Sequence, residues 1–121
     1  MLRFIRSFGY AFRGIRLAFS GESNCQIQLI VGVLVLLLSW KLGLAPVEWC
    51  IILLCIGLVI GLEMVNSAVE KACDRITREQ DDYIRYVKDI AAGAVLWASI
   101  ASAIIGGVIF LPKIIAICQS L

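Results

Sequence analysis

A chain of 121 residues with a net charge of only +2 and 61% hydrophobic residues is too short for two domains of usual size. Its mean hydropathy of +0.95 is too high for an ordinary soluble protein. No His, and no C-x-x-C among five Cys, argues against a zinc or haem site; Cys50 and Cys55 read as small core hydrophobes, and no structural disulfide is expected.

Charge is confined to two places. Arg3, Arg6, Arg13 and Arg16 precede every acid, and a mixed cluster runs from Glu70 to Asp89. The rest is almost uncharged, which predicts an all-α integral membrane protein forming a single domain over residues 1–121. No nucleic-acid partner is expected.

Residues 2–19 are predicted as an amphipathic surface helix. Phe4, Ile5, Phe8, Phe12, Ile15 and Phe19 fall on one face and the four Arg on the other, a pattern suited to the headgroup layer. The Arg are spread through this segment instead of preceding an apolar core, so no cleavable signal peptide is expected. The polar break 20–24 contains Glu22, the only acid in the first 47 residues, and a lone acid in such a turn reads as a cap for the next helix.

A first membrane span is predicted over about 25–45, with Trp40 and Lys41 at an interface. Residues 41–48, with Pro46, form a tight hairpin, and the second span returns over about 47–66, close to the roughly 20 residues a bilayer needs. From Ser67 the same helix is expected to continue into water, carrying Lys71, Asp74, Arg75 and Arg78. Residues 77–82 form a turn, and Tyr83 to Lys88 restarts a helix. A third span, about 90–111, is rich in Ala, Gly and Ser, which permit close helix packing, and is expected to end at Pro112 and Lys113. Basic residues crowd the amino terminus and the 67–89 loop, while Lys41 and Lys113 alone lie opposite. By the positive-inside rule, the amino terminus and that loop face the cytoplasm at the cell's inner membrane.

The candidate site follows from E-M-V-N-S-A-V-E-K-A-C-D at 63–74. At about 100° per residue, Glu63, Asn66, Ser67, Glu70 and Asp74 share one narrow stripe emerging from the second span. An acid at that depth is costly and points to function; the simpler alternative is that Glu63 only marks the helix end. Carboxylates beside Lys and Arg, without His, suit Mg²⁺ held largely through phosphates. Two acids for the ion, cations for the transferred group and a base for the acceptor hydroxyl are the parts of phosphoryl transfer. The depth of Glu63 implies an acceptor that comes from the bilayer, a lipid alcohol. No phosphate-binding glycine loop of the usual kinds is present. Two other readings are a small oligomeric channel or proton pathway through Glu63, and an inactive protein of the same fold. A channel would need polar residues through the depth of a span, whereas here they gather at one side.

The 63–74 block, V-K-D-I-A-A-G-A-V-L at 87–96, S-F-x-Y-A-F-x-G-I-R-x-A-F at 7–19, Glu22 and Glu48-Trp49 resemble the signature of the prokaryotic diacylglycerol kinase / undecaprenol kinase family. The resemblance spans nearly the whole chain. It implies an ATP- and Mg²⁺-dependent lipid kinase, a homotrimer of three-span subunits with a surface helix and active sites shared between neighbours. On that resemblance Glu63 is the general base and Glu22 and Glu70 are the metal ligands. ATP is contacted by Arg3, Tyr10, Glu22, Asn66, Glu70, Glu79, Gln80, Asp81, Lys88 and Asp89. The lipid is contacted by Arg3, Ser7, Tyr10, Phe12, Arg16, Phe19, Asn24, Gln28, Trp49, Glu63 and Ala92. Relatives commonly read E-R-N-x-R-I-H where this chain has E-S-N-C-Q-I-Q at 22–28, and E-Y-H where it has Glu79-Gln80-Asp81. These differences bear on headgroup and adenine contacts and leave Glu63, Glu70 and Lys88 untouched. The terminal I-I-G-G-V-I-F-L-P-K and G-L-E-M-V-N-S-A lean toward the undecaprenol branch.

Overall fold

Four helices make up the chain in the computed structural model, which describes residues 1–121: α1 (Leu2–Gly21), α2 (Ser23–Leu42), α3 (Pro46–Ile76) and α4 (Asp82–Ser120). The last three are long and apolar enough to cross a membrane, so the protein is a multi-pass, all-helical membrane protein. The largest interface is α3 against α4, with α2 laid mainly against α3.

The packing follows a seven-residue pattern. Cys25, Gly32 and Ser39 are the buried residues of α2, while Ile52, Val59, Asn66 and Cys73 repeat at the same interval on α3. A seven-residue seam is the mark of helices crossing at a shallow left-handed angle. The α2 side of the seam is all small residues, so the backbones come close. A Cβ at Gly32 would stand 3.1 Å from Ile56 Cγ2, and Ile56 is itself packed against the core cluster of Leu44, Ile52, Ile109 and Phe110. Gly32→Leu is therefore expected to prise α2 from α3 and to destabilise the fold by about 1–3 kcal/mol, the usual cost of overpacking. Thermal denaturation in detergent micelles measures it.

Helix ends depart from the predicted ones for local reasons. The break between α1 and α2 is a single residue: Glu22 alone is extended (φ −110°, ψ 112°), and Gln26 Nε2 donates to the Phe19 carbonyl at 3.0 Å across it. The first span stops at Leu42, short of the expected 45, because Gly43 turns left-handed (φ 67°) and its N–H returns to Ser39 O. Pro46 opens α3, where its missing N–H costs nothing, and Glu48 Oε1 accepts the Ala45 N–H at 2.9 Å.

At its other end α3 stops at Ile76, so Arg78 does not lie on the helix as expected. Thr77 is extended and its Oγ1 accepts the Glu79 N–H at 3.1 Å, a local turn that competes with another helical turn. Asp81 then caps α4, its Oδ1 accepting from Tyr83 N and Ile84 N at 2.9 and 3.0 Å. The expected stop at Pro112 does not occur either. The proline lies inside α4, which runs on to Ser120. Proline removes one helical bond, and the turn beyond it is secured by Lys113 Nζ, 3.1 Å from Glu48 Oε1 at the start of α3.

Candidate active site

The predicted stripe of α3 exists as a column whose lower part is buried. Glu63, Asn66 and Ser67 are 4%, 5% and 8% exposed, whereas Glu70 and Asp74 reach solvent. Helical periodicity places them on one face, and packing against α2 and α4 covers that face up to Ser67. Asn66 Nδ2 donates to Glu70 Oε1 at 3.4 Å, joining the buried part to the open part.

Glu63 Oε1 and Asn66 Oδ1 are buried with no hydrogen-bond partner. Leaving such oxygens unpaired costs free energy, and native interiors avoid it. The two lie on successive turns of one helix, on the same face. Cys25 of α2, fully buried, lies beside the Ser67 hydroxyl with Glu63 and Glu22 in its surroundings. It closes the column from the α2 side.

Above the column, ion pairs draw in the neighbouring elements. Glu22 caps α2 by position, but its side chain makes no capping bond; its Oε1 instead stands 2.8 Å from Lys71 Nζ. The capping expectation is thus corrected: a cation on α3 outcompetes the exposed N–H groups. The Glu22 carboxylate holds Lys71 above the ordinary lysine value, with smaller help from Asp74 and Glu70. Lys71 thus ties Glu22, at the start of α2, to α3 one residue after Glu70.

From α4, Lys88 Nζ reaches Asp74 Oδ1 at 2.6 Å, and Glu70 also favours its charged form. This bond holds Asp74 below the usual carboxylate range and lifts Lys88 above the usual lysine value, both residues lying beyond the apolar stretch of their helices. A depressed Asp74 stabilises the fold above its unfolded value near 3.9, and that contribution disappears as pH falls through the folded value. A raised Lys88 contributes below its unfolded value near 10.4 and is lost as pH climbs through the folded value. The melting-temperature advantage of the wild type over Asp74→Asn, small for so exposed a pair, is therefore expected to be flat from about pH 5 to 9, to begin falling near pH 4 and to be gone only below the lowered folded value. Melting curves across that range check the sign.

The other residues singled out in the sequence are spread more widely. Arg3, Ser7, Tyr10, Phe12 and Arg16 lie exposed on α1, which packs against α2 and has only Ala18 buried; Phe19 is half-buried. Glu79 and Gln80 lie exposed in the 77–81 connection, where Asp81 is engaged in capping. Asp89 is exposed, with Arg85 3.5 Å away on its own helix. Asn24 and Ala92 are exposed.

Gln28 lines an apolar groove of about 320 Å³ between α2, α3 and α4, together with Val59, Ile60 and Ser102. Trp49 packs at the far end of α3, some 14 residues and about 21 Å of helical rise from Glu63. Sequence reasoning placed Asp74 on the stripe but missed its pairing with Lys88, and it missed the pairing of Lys71 with Glu22. Asp74 and Lys71 sit on or beside the stripe, which was the available signal.

As to a metal ion, no group of three or more His, Cys, Asp or Glu side chains is gathered into a cage. Glu22 and Glu70 offer carboxylate oxygens only, the donor chemistry of a hard cation that takes most of its ligands from phosphates and water.

Residues 9–110 match the prokaryotic diacylglycerol kinase family. The chain is 40% identical to an undecaprenol kinase of Bacillus subtilis over 112 residues, covering 93% of this chain and 91% of that one. It is 35% identical to a diacylglycerol kinase of Synechocystis over 92% of this chain and 64% of that one. It is 30% identical to the diacylglycerol kinase of Haemophilus influenzae over 88% and 91%. A buried, unpartnered acid, with lysines and acids gathered farther along α3 and on α4, thus occurs in a chain that belongs to the prokaryotic diacylglycerol kinase family and is a lipid kinase.

Proposed function

We propose that the protein transfers the γ-phosphoryl group of ATP to the hydroxyl of a membrane lipid alcohol, with Mg²⁺ required and Glu63 as general base. The observation that carries this reading is the buried, unpartnered Glu63 Oε1 beneath a column of Asn66, Glu70 and Asp74. A lipid hydroxyl entering from the bilayer donates its hydrogen bond to Glu63 and gives up that proton as its oxygen bonds to the γ-phosphorus. The bond to ADP breaks on the opposite side, and Glu63 later releases the proton to water.

Glu22 and Glu70 would hold Mg²⁺, which when bound screens the charge of the ATP phosphates. Lys71 would then give up the Glu22 carboxylate it pairs with in the structure. Lys88 keeps an ammonium at the level of Glu70 for the transferred group, and Asn66 orients it. Arg3, Tyr10, Glu79, Gln80, Asp81 and Asp89 would complete the nucleotide site.

The acceptor favoured is undecaprenol, because identity is higher to the undecaprenol kinase than to the diacylglycerol kinases compared above. Ser7, Phe12, Arg16, Phe19, Asn24, Gln28 and Ala92 would meet the lipid near its head. Trp49, at the opposite end of α3, can meet only its tail.

The basic and aromatic α1 would lie on the cytoplasmic surface of the inner membrane, with the 67–89 segment on the same side. Exposed Leu96, Trp97, Ile104 and Val108 on α4 give neighbouring subunits an apolar face, in keeping with a homotrimer whose sites are shared.

Purified protein in mixed micelles, with labelled ATP and undecaprenol, diacylglycerol and ceramide side by side, tests the reading. Label is expected on undecaprenol first; label on none of the three would end it.

A further inference from the structure

The reaction above leaves two members of the α3 stripe without a task, Ser67, which is buried, and Asp74, which is exposed. Asp74 has cations on its own helix and just past it, Lys71 and Arg78, both near enough to favour its charged form. Yet its carboxylate is bonded to Lys88 of α4, at 2.6 Å, across the largest helix interface in the chain. Lys88 is the more enclosed of the two side chains, 30% exposed against 54% for Asp74. Its surroundings include Glu70, one turn before Asp74, and Cys73.

A lysine carries its charge on a flexible four-carbon stem and loses considerable rotamer freedom when held in one place. The ammonium has three N–H donors, so one bond to Asp74 leaves two for phosphate oxygens. An aspartate has a much shorter side chain than the lysine it holds, with fewer rotamers to lose, and so is the stiffer of the two partners.

Resting on the kinase reading above, we infer that Asp74 is a positioning residue for phosphoryl transfer: its carboxylate holds the Lys88 ammonium beside Glu70, ready to meet the phosphates of ATP. Asp74 itself touches neither the nucleotide nor the lipid. Without it the Lys88 side chain samples other rotamers, and ATP must order it on binding. The loss then falls on ATP affinity and spares the acceptor. Partners of this supporting kind are worth about 10–100-fold in related settings, where a second residue orients a metal ligand.

The test is a double-mutant cycle on the full-length protein in micelles, using Asp74→Asn, Asp74→Glu, Lys88→Met and Asp74→Asn with Lys88→Met. Steady-state kinetics with undecaprenol are read together with ATP displacement of a fluorescent ATP analogue, which needs no acceptor. Asp74→Asn is expected to raise the KM for ATP about tenfold, with the lipid KM unchanged and kcat reduced far less. Asp74→Glu is expected to recover most of the loss. In the Lys88→Met background, Asp74→Asn should add less than about twofold, because both substitutions remove the same interaction.

Additive effects in the cycle, or a fall in kcat with the ATP KM unmoved, would overturn the assignment. So would loss of the ATP KM effect once variants of equal melting temperature are compared. Wild-type protein that displaces the analogue with ATP but phosphorylates none of the lipids would refute the lipid-kinase reading alone. The displacement cycle would still decide the role of Asp74. Wild-type protein that fails to bind ATP would sink both.

Discussion

Glu63→Gln is expected to lower ATP-dependent lipid phosphorylation by about 10²–10⁴-fold, the range associated with removing a positioned general base. The amide keeps the size and shape of the side chain but cannot take the acceptor's proton. What sharpens the expectation is the state of the carboxylate in the structure: Oε1 is buried and bonded to nothing. The substitution therefore breaks no ion pair seen there, and it removes a charge from a site where charge is expensive. Stability should hold or rise while turnover collapses. A merely structural acid at a helix end would behave the other way, losing little activity. Transfer of labelled phosphate to undecaprenol, read beside melting temperature and oligomeric state in the same micelles, separates the two. Activity within threefold of wild type would remove Glu63 from the chemistry.

What could be read from the sequence was whatever depends on one helix at a time. The three spans show as apolar stretches bounded by Trp, Lys and Pro, and the stripe from Glu63 to Asp74 follows from helical periodicity alone. The distance of Trp49 from Glu63 is likewise only helical rise, and arithmetic on the sequence would have placed it at the far end of the span.

Features that depend on two elements together were not legible. Glu22 looks like a cap because nothing nearby in the chain competes for it; the competitor, Lys71, arrives only when α2 and α3 pack side by side. The bond from Lys88 to Asp74 needs the axial alignment of α3 and α4, which depends on the 77–81 connection and on the packing of those two helices. Pro112 reads as a stop by propensity, yet α4 runs on to Ser120; prolines are tolerated in helices of membrane proteins, where neighbouring helices hold the segment in place, and Lys113 pairs with Glu48 of α3 just beyond it. Burial of Glu63 also needed the fold. Its position on the stripe was visible, whereas the absence of any partner for Oε1 was not.

Lys88→Met should be the second most damaging change, lowering kcat by about 10²–10³-fold, as loss of one preorganised donor to transition-state charge does elsewhere. Charge on the γ-phosphoryl oxygens is redistributed as transfer proceeds, and a cation already in place needs no reorganisation to follow it. Methionine keeps the unbranched apolar stem and deletes the ammonium. The bond to Asp74 is lost too, but Asp74 is half exposed and its carboxylate returns to water, so little stability should go with it. Lys88→Arg is the informative companion. Arginine restores the charge, yet its planar fork on a longer stem cannot occupy the place beside Asp74 as a compact ammonium does. A partial recovery, with ATP binding closer to wild type than turnover, is the expected outcome. Full activity in Lys88→Met would show that the phosphates are neutralised elsewhere, with Lys71 or the Arg of α1 as the residues to test next.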